Sequence, residues 1–375
     1  MKPISVVVLL LFASFAQGQN WPQFHRGNME RYNPSENVLN VNNVGNLSLK
    51  WSYATGGPVL SSPAVENGVV YVGSESATEN VFALNSTGAL LWSYHAFDPV
   101  WQSSPAVANG VVYIGATDGN VYALNASTGA LEWIYGTDGP VYSSPAVVNG
   151  VVYVGSWGNT VYALNATTGA LLWSYTTGGQ VQSSPAVENG VVYVGSFDGN
   201  VYALNATTGA ELWTYAAAWS VSSSPAVANG AVYVGSNGGT SKTGNLYALN
   251  ASTGALLWSY HTGAGVESSP AVANGMVYFA ASDVYALNAS TGALQWTFST
   301  SYGDQSSPAV ANGVVYIGLE NGRVKALNAS TGAQLWTYQT GSNAEGSGVQ
   351  SSPVVVNGTV YVGALDGNVY AFGLN

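Results

Sequence analysis

Cysteine is absent from the 375 residues, so neither a disulfide framework, nor a thiolate metal site, nor a thiol nucleophile is available to this chain. Charge is scarce too. Asp, Glu, Lys and Arg make up 7% of the sequence, with 18 acids against 7 bases and a formal net charge of −11. Seven scattered cations cannot form the basic stripe that tracks phosphates, which argues against nucleic acid or an anionic membrane surface as partner. The only histidines, His25, His95 and His261, have no metal-ligand spacing. The patterns G-x-S-x-G, H-E-x-x-H and the phosphate-binding loop are missing, so hydrolase and nucleotide-binding readings find no support. Long apolar runs are missing as well. The stretch Ile4 to Phe15 is too short for a stable membrane span. With Lys2 before it and Ala16-Gln17-Gly18 after it, residues 1–18 read as an export signal cleaved before Gln19. No lipid-attachment cysteine follows, so the expectation is a soluble exported monomer, periplasmic, extracellular or at the cell surface.

What the chain has in abundance is repetition. The tripeptide S-S-P begins at Ser61, Ser103, Ser143, Ser183, Ser223, Ser268, Ser306 and Ser351, about every 40 residues. A period of that size marks a repeat architecture and overrules a division of the chain by length alone. Within one unit, SSPAVENGVVYVGSFDGNVYALNATTGAELWTY at Ser183 to Tyr215, four short runs rich in Val, Tyr and Leu are separated by turn residues. They read as four antiparallel strands, A to D, joined by tight turns such as Asn-Gly. One such sheet cannot stand alone, and eight stacked radially make an all-β, eight-bladed β-propeller over residues 47–375. The last unit stops after its third strand, while LSLKWSY at Leu47 to Tyr53 stands before the first S-S-P without a sheet. Closure therefore puts that N-terminal strand in the last blade, beside Asn368 to Phe372.

A tryptophan recurs at one place in every unit: Trp92, Trp133, Trp173, Trp213, Trp258, Trp296 and Trp336, with Trp51 as the eighth. A flat side chain near the rim can lie between adjacent sheets while its indole N–H finds a backbone carbonyl. The run A-L-N-A-T-T-G-A-L-L-W at Ala163 to Trp173 resembles the tryptophan-docking motif of the pyrroloquinoline-quinone (PQQ) repeat propellers, with Asn165 where that family usually has Asp. The resemblance covers residues 47–375 and implies the propeller fold. The superfamily includes quinoprotein alcohol dehydrogenases and non-catalytic members such as BamB, so the resemblance by itself implies no single activity. Residues 19–46 differ in composition and read as an N-terminal arm that wraps the outside or an end of the ring, anchored by Trp21.

The A–B and C–D turns scarcely vary between units, whereas the B–C and D–A connections do. Because strands alternate in direction, both variable sets fall on one end of the ring. The residues just before S-S-P are Leu60, Gln102, Tyr142, Gln182, Ser222, Glu267, Gln305 and Gln350, which begin the innermost strands and should circle the channel mouth. Trp101, Trp157, Phe197, Trp219 and Tyr302 add aromatic surface on that end. Amides ringed by aromatics form a candidate face for a ligand or partner.

A quinoprotein site asks for a divalent cation held by carboxylate and amide oxygens, a carboxylate base and a cationic group near the quinone. Here the acids of that end, Glu75, Glu79, Asp98, Asp138, Glu267, Asp304 and Glu320, are scattered. Apart from Lys50 in the closing strand, the blade cations that could serve are Lys242, Arg323 and Lys325, the last expected to answer Glu320 as a surface pair or else to reach a ligand. The Asp-Gly-Asn triplets at Asp118, Asp198 and Asp366 read as hairpin turns and not calcium loops. Seven of nine Asn-x-Ser/Thr sequons fall in C–D turns, where asparagine also suits the turn. The expectation is a binding or scaffold propeller with no catalytic residues, no metal and no cofactor, whose partner is another protein or a surface. A PQQ-dependent oxidoreductase, with PQQ and calcium at the channel mouth, is the alternative.

Overall fold

The computed structural model describes residues 19–26, 29–238, 243–300, 306–341 and 348–375. It is an eight-bladed β-propeller of four-stranded antiparallel sheets. In the first blade the strands run Ala64–Glu66, Val69–Gly73, Val81–Leu84 and Leu90–Tyr94 from the channel outward. The inner hairpins turn on Asn-Gly pairs in which both residues have positive φ, as at Asn67 (51°) and Gly68 (78°). That geometry matches the twist of the flanking strands, and it explains why this dipeptide recurs in all eight blades.

The ring closes as expected. Ser48–Ala54 pairs antiparallel with Asn368–Gly373, with Trp51 opposite Ala371 and Tyr53 opposite Val369, and completes a sheet begun by Val354–Val356 and Thr359–Gly363. In every blade the pairing of third and outer strands slips by one residue just before the tryptophan, for instance between Leu131 and Trp133. This bulge re-aims the side chain along the blade interface. Each indole N–H then donates to a backbone carbonyl of the next blade: Trp92 to Ala126, Trp133 to Ala166, Trp173 to Ala206, Trp213 to Ala251, Trp258 to Ala289 and Trp296 to Ala329. At the seam Trp336 donates to Leu47 and Trp51 to Ser86, each at 2.9 Å. The ring face lies on the neighbouring turn glycine. A Cβ on Gly129 (φ +73°) would stand 2.7 Å from Trp92, so the T-G pair is required by both conformation and space.

The S-S-P landmark has a structural cause that the sequence did not disclose. The first serine hydroxyl accepts the N–H of the residue twelve positions on, as Ser183 does from Gly195 at 3.0 Å. The second serine accepts the N–H of the equivalent serine in the preceding blade. Ser62 N–H bonds to Ser104 Oγ, Ser104 to Ser144, Ser144 to Ser184, Ser184 to Ser224, Ser224 to Ser269, Ser269 to Ser307, Ser307 to Ser352 and Ser352 back to Ser62. These eight bonds form a closed hoop around the channel. Replacing Ser144 by Ala strands a buried N–H, and we expect a loss of about 1–3 kcal/mol in chemical denaturation. An unchanged midpoint would show that the hoop carries no stability.

Of the two placements expected for the arm, outside or end, the structure has the end: the arm enters the channel at the end carrying the Asn-Gly turns. It seals the inner strand edges in succession: Val65 exchanges backbone bonds with Trp21 at 2.8 Å, Val107 N–H donates to the Pro22 carbonyl at 2.7 Å, and Val147 N–H donates to the side-chain Oε1 of Gln23 at 3.0 Å. Past residue 28, Val227, Val272 and Val310 donate to the carbonyls of Met29, Glu30 and Arg31, and Tyr32–Asn33 pairs parallel with Ala309–Ala311. Edge groups that would otherwise face an open shaft are thereby satisfied. Arg31 lies fully buried at the centre, donating to the carbonyls of Phe24, Pro308 and Pro353, with its guanidinium 4.5 Å from the Phe24 ring. Burial lowers its pKa to about 9. The chain then leaves the axis. Glu36 accepts the N–H groups of Val38, Leu39 and Gly358, and a single turn at Val44–Asn46 carries the backbone to the rim, where it becomes the closing strand.

Candidate binding mouth of the central channel

With the arm plugging one end, the channel is a blind well that opens only among the variable loops. Its floor is Phe24 and its lower wall is the serine hoop. Around the mouth stand Leu60, Gln102, Tyr142, Gln182, Ser222, Glu267 and Gln350. The sequence placed these residues in one circle from their common position before S-S-P, and the structure places them so. Gln305 and Tyr302 lie outside the described residues. The well encloses about 620 Å³, counting its open mouth.

The aromatic residues do not form a uniform collar. Trp101, Tyr142, Trp157 and Phe197 make a continuous staircase on one side, with ring centroids 4.9, 4.4 and 6.4 Å apart in that order. The first two contacts are edge-to-face, the arrangement favoured by aromatic quadrupoles. Tyr142 belongs to both staircase and well. Trp219 and Phe97 stand exposed on the same face. Gln182 Nε2 donates to Gln102 Oε1, bridging residues two blades apart. The Trp157 indole N–H and the Ser222 hydroxyl are buried without a hydrogen-bond partner.

Electrostatics at the mouth are one-sided. Glu267 accepts a bond from Asn237, and burial pushes its carboxyl pKa up. Glu320 is also raised, by burial first and then by the Glu267 charge. Glu75 is raised by burial, with a hydrogen bond from Trp101 in partial opposition. Lys325 is not Glu320's partner. Strand alternation points it at the neighbouring blade, where the other third strands carry Tyr or Phe. Its ammonium sits 4.8 Å from the Phe298 ring and donates to Gln334. The Asp-Gly-Asn carboxylates are used within their own turns: Asp198 accepts the Asn200 N–H at 2.9 Å and the Tyr202 hydroxyl at 2.6 Å. In the C–D turns the Asn165 side-chain oxygen accepts the N–H groups of Thr167 and Thr168, each at 3.0 Å.

Among the described residues no cluster of three or more His, Cys, Asp or Glu side chains could hold a metal ion. The lining does not fit PQQ with calcium. Among the described residues it offers one carboxylate, Glu267, and no cationic side chain to meet the charge of the quinone cofactor. No helix is long and apolar enough to cross a membrane among the described residues.

Fold, repeat and channel define a propeller of PQQ-like repeats. The family model described as outer membrane protein assembly factor BamB matches residues 46–140, 77–196, 137–240 and 197–375, and the chain belongs to this family. No curated protein matches the chain by sequence. Among solved structures, it is similar to a quinohemoprotein alcohol dehydrogenase from Comamonas testosteroni, at 19% identity and a TM-score of 0.80 over 96% of this chain and 81% of that one. It is similar to BamB from Moraxella catarrhalis at 22% identity and a TM-score of 0.72, over 88% of this chain and 100% of the other. It is also similar to the computationally designed protein Ika8, at 22% identity and a TM-score of 0.72, over 86% of this chain and 98% of that chain. Likeness at this level of identity establishes the shared fold and speaks equally for scaffold propellers and for dehydrogenases.

Proposed function

We propose that the protein is an exported, non-catalytic binding module that engages a protein or surface partner through the end carrying its variable loops. The carrying observation is the composition of the well among the described residues: one half-buried carboxylate, no cation, and otherwise hydroxyls, amides, aromatic rings and Leu60. Binding needs only such a surface, whereas oxidation of an alcohol through a quinone needs a charged centre. The family assignment supports a scaffold role, and residues 1–18 support export. The test has two arms. Titration with PQQ and calcium should leave absorbance and melting temperature unchanged; stoichiometric binding with dye-linked alcohol oxidation would overturn the proposal. Crosslinking of the exported protein should recover a partner whose yield falls about tenfold with Trp101→Ala or Trp219→Ala, as expected for aromatic anchors.

A further inference from the structure

Resting on that reading, and deepening it, we infer that the well binds a neutral, polyhydroxylated ligand: the uncharged end of a saccharide chain. The argument starts from the hoop. Each of its serine oxygens already accepts a neighbour's N–H, and none of the eight donates its own proton to another protein group. Seven of these serines line the well, so a ladder of O–H donors faces the cavity at its lower wall. A hydroxyl whose lone pair is already engaged is best completed by a ligand acceptor.

Acceptors stand one level higher. The bond from Gln182 to Gln102 uses one end of each amide and leaves the Gln182 oxygen and the Gln102 NH2 group for a ligand. Glu267 retains acceptor capacity beyond its bond from Asn237. Ser222 contributes a buried hydroxyl with no partner at all. Leaving such groups unmatched in a closed cavity is costly, so the wall favours a molecule able to donate and accept at several adjacent points. Sugar hydroxyls do both.

Charge excludes the other classes. An anion would meet Glu267 with no cation to answer it. A cation would find one carboxylate among the described lining residues, Glu267, already hydrogen-bonded to Asn237 and with no second carboxylate in that lining to complete a coordination shell. Beside the polar wall Tyr142 presents ring surface, held edge-to-face by Trp157 behind it. A pyranose presents hydroxyls at its edge and C–H groups on its face, so one ring can bond the amides and lie against the staircase.

The full chain would be screened on an array of neutral and charged oligosaccharides, and the best neutral hit measured by calorimetry at low and high salt. We expect binding that changes less than about twofold between roughly 50 and 500 mM salt, because no ion pair is formed. Gln182→Ala should weaken it about tenfold, and Tyr142→Ala at least as much, with the melting temperature recorded for each. Glu267→Gln keeps an acceptor and should leave affinity within about threefold, whereas a cationic ligand would be lost. No neutral oligosaccharide bound at millimolar concentration, binding confined to charged sugars, or binding indifferent to Gln182→Ala and Tyr142→Ala would each overturn the inference. If Trp101→Ala still weakens partner recovery while no sugar binds, the saccharide assignment fails and the binding-module reading stands. If neither assay responds, both fall.

Discussion

Deleting residues 47–55 should abolish cooperative unfolding and drive the protein into aggregates. The segment supplies the outer strand of the last blade, and its loss leaves the Asn368–Gly373 strand with an unpaired edge. It removes the Leu47 carbonyl that receives the Trp336 indole and the Trp51 indole that reaches Ser86, so the interfaces on both sides of the last blade lose their pins. Thr55 goes as well, and its hydroxyl bridges to the Gly57 and Gly367 carbonyls and to Ser74. A ring differs from a stack: opening one seam exposes two blade faces and a bare sheet edge at once, and exposed edges template aggregation. The combined loss exceeds the roughly 5–15 kcal/mol that holds a typical domain together. Trp51→Ala alone should cost about 3–5 kcal/mol and leave a folded ring. Light scattering and a melting curve check both; a soluble, monomeric deletion mutant with an unchanged transition would show that the ring does not depend on its seam.

The seam was legible because a repeat can be counted. An eighth S-S-P unit short of one strand and a lone tryptophan strand at the start leave a single economical pairing, and the register of Trp51 against Ala371 realises it. The circle of residues from Leu60 to Gln350 was legible for the same reason, since equal positions in equal blades lie at equal heights. What was not legible had no period or needed a neighbour. The arm, residues 19–46, is aperiodic. Its described hydrogen bonds go to the inner strands of seven blades, which exist only once the ring has formed, so the sequence left the arm on the outside or at an end of the ring and could not show that it plugs the channel. The serine hoop was hidden differently: S-S-P was visible as a landmark, but its reason is a bond between blades that no single unit contains. Lys325 misled because a charge in a strand pattern suggests solvent. Its alternation number, shared with Tyr122, Tyr162 and Tyr202, pointed to the blade interface, and in this case periodicity outweighed polarity.

That threaded arm also sets how the protein should respond to acid. His25 is buried in the plug, its ring edge-to-face with Phe24 at 5.0 Å, and neither ring nitrogen is in hydrogen-bonding geometry with a partner. Desolvation first, then the nearby Arg31 charge, lower its pKa from 6.5 to about 3; the Ser184 backbone opposes slightly. The unfolded chain therefore binds a proton in this range that the folded chain refuses. The stability tied to neutral His25 is fully present above pH 6.5 and is lost as pH falls toward 3. A fall of that size corresponds to roughly 5 kcal/mol at the acid limit. Several carboxyls work the other way. Burial raises Glu66, Glu188, Glu267 and Glu320, so the folded state takes up their protons more readily and gains stability as pH drops. The wild-type profile mixes both signs, and the informative quantity is its difference from His25→Leu, which keeps an apolar side chain of similar bulk in the plug. Chemical denaturation from pH 8 to 4 should show the wild type losing stability relative to the variant by about 1.4 kcal/mol for each pH step below 6.5. Parallel curves through that window would mean that the imidazole meets water, and that the channel is open where the structure has it sealed.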